Sequence, residues 1–272
     1  MQAASRESLA AAGEQFAALV SGTDVDGLRA LGDELFAVLE LLYRERVLRR
    51  HLADPSAPAE ARKELAGRVL TGKVGATTLD LVSSLAASRW SASADLLDAL
   101  ELLSRKSSLT IAEREGGIED VEDELFRFGR ILTGQPRLTA LLADQTAPVQ
   151  GRLALLDGLL SGKVTTVTRT LLDQAVRLPR DASLDLLAGR LAELAAAQRD
   201  RSVAHVTAAA PLTDIQERRL AQVLSTIFGR PVSVQVELDP DVLGGLVIRV
   251  GDEVIDGSVA ARLARARQDL PS

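Results

Sequence analysis

The stretch from Pro211 to Leu270 decides the predicted fold, because it mixes helix and strand patterns while the residues before it do not. It reads PLTDIQERRLAQVLSTIFGRPVSVQVELDPDVLGGLVIRVGDEVIDGSVAARLARARQDL. A helical segment comes first, three short strands with Gly-Gly and Gly-Asp between them follow, and a second helix ends the stretch. Upstream of about Arg201 the chain is rich in Leu and Ala, which are strong helix formers. The contrast predicts a mainly α chain that ends in a small α/β module over residues 201–272.

The first half of this module is predicted to be a strand followed by a capped helix. Residues 203–209 alternate weakly and are rich in Val and Ala, which favours a strand. Thr213 is a suitable N-cap, and Gln216 stands three positions later, as in a capping box. Gly229 has the position of a C-cap. The apolar face of the helix is predicted to consist of Leu220, Val223, Leu224, Ile227 and Phe228.

Three strands and a final helix complete the predicted order β-α-β-β-β-α. Apolar residues alternate around Val234 and again around Ile248, which is the period of a half-buried strand. Gly251-Asp252 predicts a hairpin turn to a third strand at 254–255. Asp256 or Ser258 is expected to cap the last helix. The remaining turn residues are Asp239, Pro240, Asp241, Gly244 and Gly245, and the apolar side of the last helix comprises Val259, Leu263, Ala266 and Leu270.

The residues before the module contain an internal repeat with an offset of ninety positions. Asp33–Phe36 recurs as Asp123–Phe126, and the turn residues Gly72–Val74 recur as Gly162–Val164. The register holds without a gap from 27 to 97, and about a third of those positions are identical. Shared helix propensity produces similar composition, but it does not produce ungapped identity at turn residues. We interpret the pattern as a true duplication.

The duplication predicts that one helix belongs to both repeats. The first helix, about residues 5–20, should recur at about 95–110, where the sixth helix of the first repeat already lies. No proline or glycine interrupts this segment before Gly116-Gly117. We therefore expect a single long helix over 93–115 that closes the first six-helix bundle and opens the second. The predicted domains are two tandem helical bundles, 1–115 and 93–200, followed by the α/β module at 201–272.

Composition excludes several classes of function. The chain has no cysteine, which removes disulfides, thiolate metal ligands and cysteine nucleophiles. Its net charge is -6 with both signs mixed along the chain, so nucleic-acid binding has no electrostatic support. No apolar run reaches the roughly 18–20 residues of a membrane span, and the N-terminal residues lack the apolar core of a signal peptide. We expect a soluble cytoplasmic protein that meets a membrane only through partners.

Candidate chemical sites are better explained by structural roles. Residues 67–74, GRVLTGKV, nearly match a phosphate-binding loop, but Val74 replaces the hydroxyl residue that would hold magnesium. We interpret Gly72 as the end of a helix. His51 and His205 are the only histidines and have no paired ligand spacing, so we expect no metal, no cofactor and no catalytic residue. The acidic residues near the C-terminus suit turns and caps, and the isolated aromatics Tyr43 and Trp90 are expected to be partly buried in a bundle.

The C-terminal stretch resembles the signature of the delta subunit of F-type ATP synthases, whose mitochondrial relative is the oligomycin-sensitivity-conferring protein. The resemblance covers nearly the whole chain, although most members carry one helical bundle and this chain carries two. The enlarged form is similar to actinobacterial versions, some of which are fused to the membrane stalk subunit. The matching positions are Pro211, Leu212, Thr213, Val234, Val236, Asp239, Pro240, Gly244, Gly245, Gly251, Asp252, Asp256, Ser258, Val259, Arg262 and Leu263.

The resemblance implies a non-catalytic peripheral-stalk subunit of a proton-translocating ATP synthase, at the cytoplasmic side of the cell membrane. It implies that the N-terminal bundle grips the N-terminal segments of the alpha subunits and that the C-terminal module holds the end of the b-subunit stalk. On the first helix, Leu9, Phe16 and Leu19 are the candidate partner-binding residues, because they are more apolar than one packed face requires. Two alternatives stay open, namely a free-standing helical adaptor without a role in energy conversion and a nucleotide-binding enzyme that uses the Gly67 loop.

Overall fold

The computed structural model describes residues 2–180, 183–201, 203–228, 232–239, 244–251 and 253–258. The chain divides into two compact units, Met1–Ala192 and Glu193–Ser272. The boundary between them falls inside a helix, eight residues before the predicted start of the α/β module at 201. The finer division into two bundles and a module at the stated limits stays a prediction.

Helices dominate the described part of the chain, as the Leu- and Ala-rich composition predicts. They are α1 (Ala3–Ser21), α2 (Val25–Arg44), α3 (Arg46–Leu52), α4 (Ala59–Leu70), α5 (Ala76–Ala87), α6 (Ser93–Arg114), α7 (Ile118–Gly134), α8 (Pro136–Ala143), α9 (Val149–Leu160), α10 (Thr166–Arg177), α11 (Leu184–Arg201) and α12 (Asp214–Phe228). The predicted shared helix is confirmed, because α6 runs without a break through 22 residues and ends just before Gly116, whose φ is 74°. None of the helices described is long and apolar enough to cross a membrane.

The duplication is visible in the helix limits. Shifting α4 and α5 by ninety positions reproduces the limits of α9 and α10 at both ends. Both repeats turn after the fourth helix through a glycine with positive φ, 76° at Gly72 and 70° at Gly162. We call α1–α6 the first repeat and α6–α11 the second repeat.

A buried arginine at equivalent positions ties each fourth helix to the end of the following helix. The guanidinium of Arg62 donates to the backbone oxygens of Ala86, Ala87 and Ser88 at 2.6, 2.9 and 2.6 Å. Arg152, ninety positions later, donates to the backbone oxygen of Val176. These carbonyls end a helix and lack intrahelical partners, so a buried cation satisfies them and also opposes the negative end of the helix dipole.

A carboxylate at equivalent positions binds the start of the same helix. Both oxygens of Glu34 accept from the backbone N–H of Gly75, at 2.9 and 3.0 Å, directly before α5. Glu124 accepts from the backbone N–H of Thr165 at 3.1 and 2.9 Å, directly before α10. An anion at a helix N-terminus is favoured by the free N–H groups and by the dipole. Each repeat therefore holds its fifth helix by a carboxylate at one end and an arginine at the other.

The apolar core of the first repeat includes an apolar seam along α2, whose residues stand alternately three and four positions apart. Leu28, Leu31, Leu35, Val38 and Leu42 on α2 are all buried. Trp90 is 2% exposed, and its indole N–H donates to the backbone oxygen of Leu85 at 2.8 Å, so it is buried more completely than the partial burial expected. Tyr43 packs half-buried against the same core. In the second repeat the equivalent seam, Val121, Leu125, Phe128 and Leu132 on α7, is also buried.

The C-terminal unit contains a four-stranded sheet in the order β2-β1-β3-β4. Its strands are β1 (Val203–Ala208), β2 (Ser233–Leu238), β3 (Leu246–Val250) and β4 (Glu253–Asp256). β1 and β2 are parallel and joined through α12, whereas β1 pairs antiparallel with β3 and β3 with β4. The small core of the unit contains Ala204, Val206, Leu224, Val232, Ile248 and Val250.

The structure confirms the predicted cap of α12 and corrects its apolar face. The hydroxyl of Thr213 accepts from the N–H of Gln216 at 3.3 Å, and the Gln216 side chain accepts from the N–H of Thr213 at 2.9 Å. Leu220, Leu224 and Phe228 pack on the sheet core, but Val223 and Ile227 are exposed. On a helical wheel the two exposed residues lie on one side of the stripe, and the sheet core is packed against the other side. Gly229, Pro240, Asp241, Asp252, Arg262 and the last predicted helix lie outside the described residues.

Candidate interaction surfaces

The signature residues of the C-terminal unit build turns and caps. Gly244, Gly245 and Gly251 all have positive φ, at 107°, 86° and 59°, a conformation that glycine adopts without strain. A Cβ at Gly245 would stand 2.4 Å from the backbone oxygen of Gly257, so the strand entrance has no room for a side chain. Asp256 accepts from the N–H of Ser258 at 2.9 Å. These described positions shape the sheet, and the chemistry that their residue types suggest is not needed to explain them.

The near-match to a phosphate-binding loop is the end of a helix. Gly67 lies within α4, and its backbone oxygen accepts from the hydroxyl of Thr71 at 2.7 Å. The N–H of Lys73 donates to the backbone oxygen of Leu70 at 2.9 Å, which closes the turn through Gly72. Such a geometry points carbonyl groups toward the turn, whereas a phosphate site needs N–H groups. Among the residues that the structure describes, no three His, Cys, Asp or Glu side chains group as metal ligands.

The candidate partner-binding residues on α1 lie in different environments. Phe16 is only 5% exposed and packs in the core of the first repeat, so its apolar side chain already has a structural role. Leu9 and Leu19 are half-buried against the same core. The exposed positions of α1 are mostly small or charged, among them Ala10, Glu14 and Ala17. A partner contact through Leu9 and Leu19 stays a prediction.

The two repeats meet where α2 approaches the pair α6 and α10. The hydroxyl of Ser104 on α6 donates to the backbone oxygen of Gly32 on α2 at 2.9 Å, and the side-chain amide of Gln174 on α10 donates to that hydroxyl at 3.3 Å. A Cβ at Gly32 would stand 3.1 Å from the Cβ of Ser107, so the two backbones approach closely. A cleft follows this contact and is lined by Asp33, Phe36, Ala37 and Glu40 of α2 and by Thr170, Asp173, Gln174 and Arg177 of α10.

Ion pairs strengthen the same junction. Arg180, which follows α10, pairs with Asp98 at 2.7 Å and with Glu101 at 2.8 Å, both on α6. Glu101 also pairs with Arg105. Burial lowers the pKa of Arg180, but the two carboxylates outweigh it and the net direction of its pKa is upward. In the first repeat, hydroxyl groups of α1 hold the corresponding segment, where Ser8 donates to the backbone oxygen of residue 89 at 2.8 Å.

The ninety-residue repeat relates the surface of α6 that α2 covers to an exposed surface on α1. Subtracting ninety from the contact residues Ser104 and Ser107 gives Glu14 and Ala17 on α1, and both are exposed. α1 packs beside α6 and beside α5, which is the counterpart of α10. The surface of α6 at Ser104 and Ser107 is thus covered by α2, whereas the equivalent positions on α1 are exposed.

A second exposed surface lies on α12. Ile215, Val223 and Ile227 are 73%, 48% and 61% exposed, and they follow one another at multiples of four residues. That spacing places them along one side of the helix. Large apolar side chains repeated along an exposed helix mark a contact surface more often than a monomer surface.

Together these features define a class of protein, a mainly helical protein with two tandem repeats and a compact α/β unit. Residues 105–270 match the family model described as ATP synthase delta (OSCP) subunit. The chain therefore belongs to the ATP synthase delta (OSCP) subunit family, and the resemblance predicted from the C-terminal signature is confirmed.

Relatives with named subunits match the whole chain. ATP synthase subunit delta of Streptomyces avermitilis is 49% identical over 269 residues, which are 99% of this chain and 98% of the relative. The Streptomyces coelicolor delta subunit is 47% identical over 272 residues, covering 100% of this chain and 99% of the relative. ATP synthase subunit b-delta of Mycobacterium sp. (strain KMS) is 49% identical over 271 residues, and the chain spans 61% of its length. The predicted similarity to enlarged actinobacterial forms is confirmed.

Proposed function

We propose that the chain is a non-catalytic peripheral-stalk subunit of a proton-translocating F-type ATP synthase. It links the catalytic head to the b-subunit stalk and resists the torque of the rotor. Membership of the delta family supports this role, and the adaptor architecture supplies several separate contact surfaces. Linked weak contacts hold a partner more firmly than any one of them alone, because each keeps the others at high effective concentration.

The N-terminal segment of an alpha subunit is proposed to bind as a helix across α1 and α5. The observation that carries this proposal is the packing of α2 on α6 beside α10, with hydrogen bonds that pass through Ser104. Because α1 and α5 are the counterparts of that pair, the same backbone arrangement is presented with no helix of the described chain on Glu14 and Ala17. Small residues at this surface allow close approach of a helix backbone.

The b subunit is proposed to bind the C-terminal unit. The exposed stripe Ile215, Val223 and Ile227 on α12 offers the anchors that a helix-in-groove or helix-on-helix contact requires. The mycobacterial relatives carry the name b-delta, so a b-type segment and a delta-type segment occur in one chain there. The proposed location is the cytoplasmic side of the cell membrane, reached through the assembled complex.

Co-purification from membranes tests the proposal. The tagged chain is expected to retain alpha and b subunits, and loss of both would refute the stalk role. Ala17→Trp places a large side chain on the α1 surface, and we expect it to lose alpha subunits while b is retained. The matched control is Ala11→Trp, because Ala11 is also exposed but lies about a third of a helical turn away. Equal loss of alpha with both variants would contradict the α1 and α5 site.

A further inference from the structure

Helix α6 belongs to both repeats, and this double role decides what its sides contact. As the sixth helix of the first repeat it packs against α2, and as the first helix of the second repeat it packs against α10. Its counterpart α1, the first helix of the first repeat, packs against α5 and α6. The two first helices therefore differ in how much of their surface the described chain covers.

The side of α6 that meets α2 is buried over two turns of the helix. Leu100 and Leu103 are fully buried in the apolar core of the first repeat. Ser104 and Ser107 are also fully buried, and the Ser104 hydroxyl donates to the backbone oxygen of Gly32 on α2 at 2.9 Å. Displacing α2 would return this core to water, and burial of such a core is the main stabilising contribution to a helical bundle. A segment of a partner therefore cannot take the place of α2.

The corresponding side of α1 is uncovered within the described part of the chain. Subtracting ninety positions from the four α6 residues gives Ala10, Gly13, Glu14 and Ala17. Ala10, Glu14 and Ala17 are exposed, and nothing lies within 4 Å of a Cβ added at Gly13. The side that is covered in the second repeat is thus open in the first repeat.

The boundary between α6 and α10 is closed as well. The side chain of Gln174 on α10 is buried, and its amide donates to the Ser104 hydroxyl at 3.3 Å. The counterpart of Gln174 is Ser84 on α5, which is only half-buried. The cleft beside this contact has one wall from α2 and the other from α10, so it is not a copy of the surface on α1 and α5.

We propose that the duplicated repeats bind one N-terminal segment of an alpha subunit and not two, because α2 occupies the second copy of the site. This valency rests on the α1 and α5 site of the proposed function. Duplication of a binding domain ordinarily doubles its sites, and two linked sites would raise the apparent affinity for a head with several alpha subunits. Here the shared helix removes that gain, since the side of α6 that would form the second site is part of the first repeat's core.

Calorimetric titration of the full chain tests the valency. The probe is a synthetic peptide of the N-terminal segment of the alpha subunit that co-purifies with the chain. We expect one peptide bound per chain. Two peptides per chain would overturn the single site and leave the α1 and α5 site standing. No binding would refute the α1 and α5 site itself, and the single-site proposal with it.

A substitution on α1 shows whether a second site is hidden behind the first. Ala17→Trp should abolish peptide binding completely, because α6 offers no alternative, while its circular dichroism should still show a folded helical chain. Ala11→Trp is the matched control and should bind one peptide. One peptide still bound to the Ala17→Trp chain would contradict the proposal.

Photo-cross-linking of the same peptide locates the bound segment. We expect adducts within α1 or α5, at residues 3–21 or 76–87. An adduct on α10, at residues 166–177, overturns the proposal because it places the peptide at the second copy of the site. Adducts confined to elements other than α1, α5, α6 and α10 refute the α1 and α5 site as well.

Discussion

Replacing Arg62 by Met should destabilise the first repeat more than any surface substitution. The Arg62 side chain is 4% exposed, and its three hydrogen bonds end on the last carbonyls of α5. Met fills most of the aliphatic volume but donates nothing, so the helix end loses its partners and the favourable charge at its negative pole. The change therefore isolates the capping role of the guanidinium from its packing role.

The size of the effect follows from the number and setting of the bonds. A hydrogen bond to a charged group contributes about 1.5–3 kcal/mol, and a carbonyl left unpaired in the interior incurs the full penalty of desolvation. Only the bond to the Ala86 oxygen is fully buried. The bonds to the other two carbonyl oxygens are partly buried, so water can reach those carbonyls once the arginine side chain is replaced. Removing the buried charge also returns its own desolvation cost, since burial lowers the pKa of Arg62. We expect a net loss of about 3 kcal/mol.

Urea denaturation followed by tryptophan fluorescence measures this loss of unfolding free energy close to the substituted contact. Trp90 is the only tryptophan, and it hydrogen-bonds to Leu85 in the last turn of α5. With a urea dependence of about 2–3 kcal/mol per molar, the midpoint should fall by about 1–1.5 M. The control is Lys63→Met, which removes an exposed 3.0 Å ion pair with Glu60 and should cost less than about 0.5 kcal/mol. A loss below about 1 kcal/mol for Arg62→Met would refute the capping account.

Five further substitutions test other contacts. Gly32→Leu should cost about 3 kcal/mol or more in urea denaturation, because its side chain would collide with α6, whereas Gly13→Ala, with nothing within 4 Å of an added Cβ, should stabilise α1 by about 0.5–1 kcal/mol. Gly245→Ala should abolish slow amide exchange in the β3 strand, since φ is 86° and the Cβ would meet a backbone oxygen at 2.4 Å. Thr213→Ala should speed exchange in the first turn of α12 by about five- to tenfold, which corresponds to about 1 kcal/mol for a lost cap. Hydrogen bonds from Ser56 lower the pKa of Asp54, so its contribution is present above the unfolded pKa and is lost as pH falls through the lower folded value. Asp54→Asn should therefore reduce the decline of stability below about pH 4, measured by denaturation at pH 5 and pH 3.

Local sequence patterns predicted the helices and strands of this fold better than they predicted the contacts between them. The capping box at Thr213 and the glycine turns depend on residues close in sequence, so spacing alone is informative. The ninety-residue offset predicted the continuous helix α6 because a duplication constrains geometry as well as composition. The junction of α2 with α6 and α10 was not predicted, since Gly32, Ser104 and Gln174 are common residue types whose pairing depends on the tertiary arrangement. The repeat did contain a sequence indication of the buried arginines. Arg62 and Arg152 are identical residues at equivalent positions, although the local pattern alone would place both on a helix surface.

Sharing α6 gives the duplicated part of the chain a mechanical property that two bundles joined by a linker would lack. A linker bends at a few soft dihedrals, whereas a helix of 22 residues, about 33 Å long, continues from the core of one repeat into the other without such a point. Contacts through Gln174 and Arg180 close the junction from the side of α10, so bending α6 would also break buried hydrogen bonds and ion pairs. On the proposed function, the second repeat lengthens the attachment to the catalytic head while adding no hinge within residues 93–114, which is the property that a stator under torque requires.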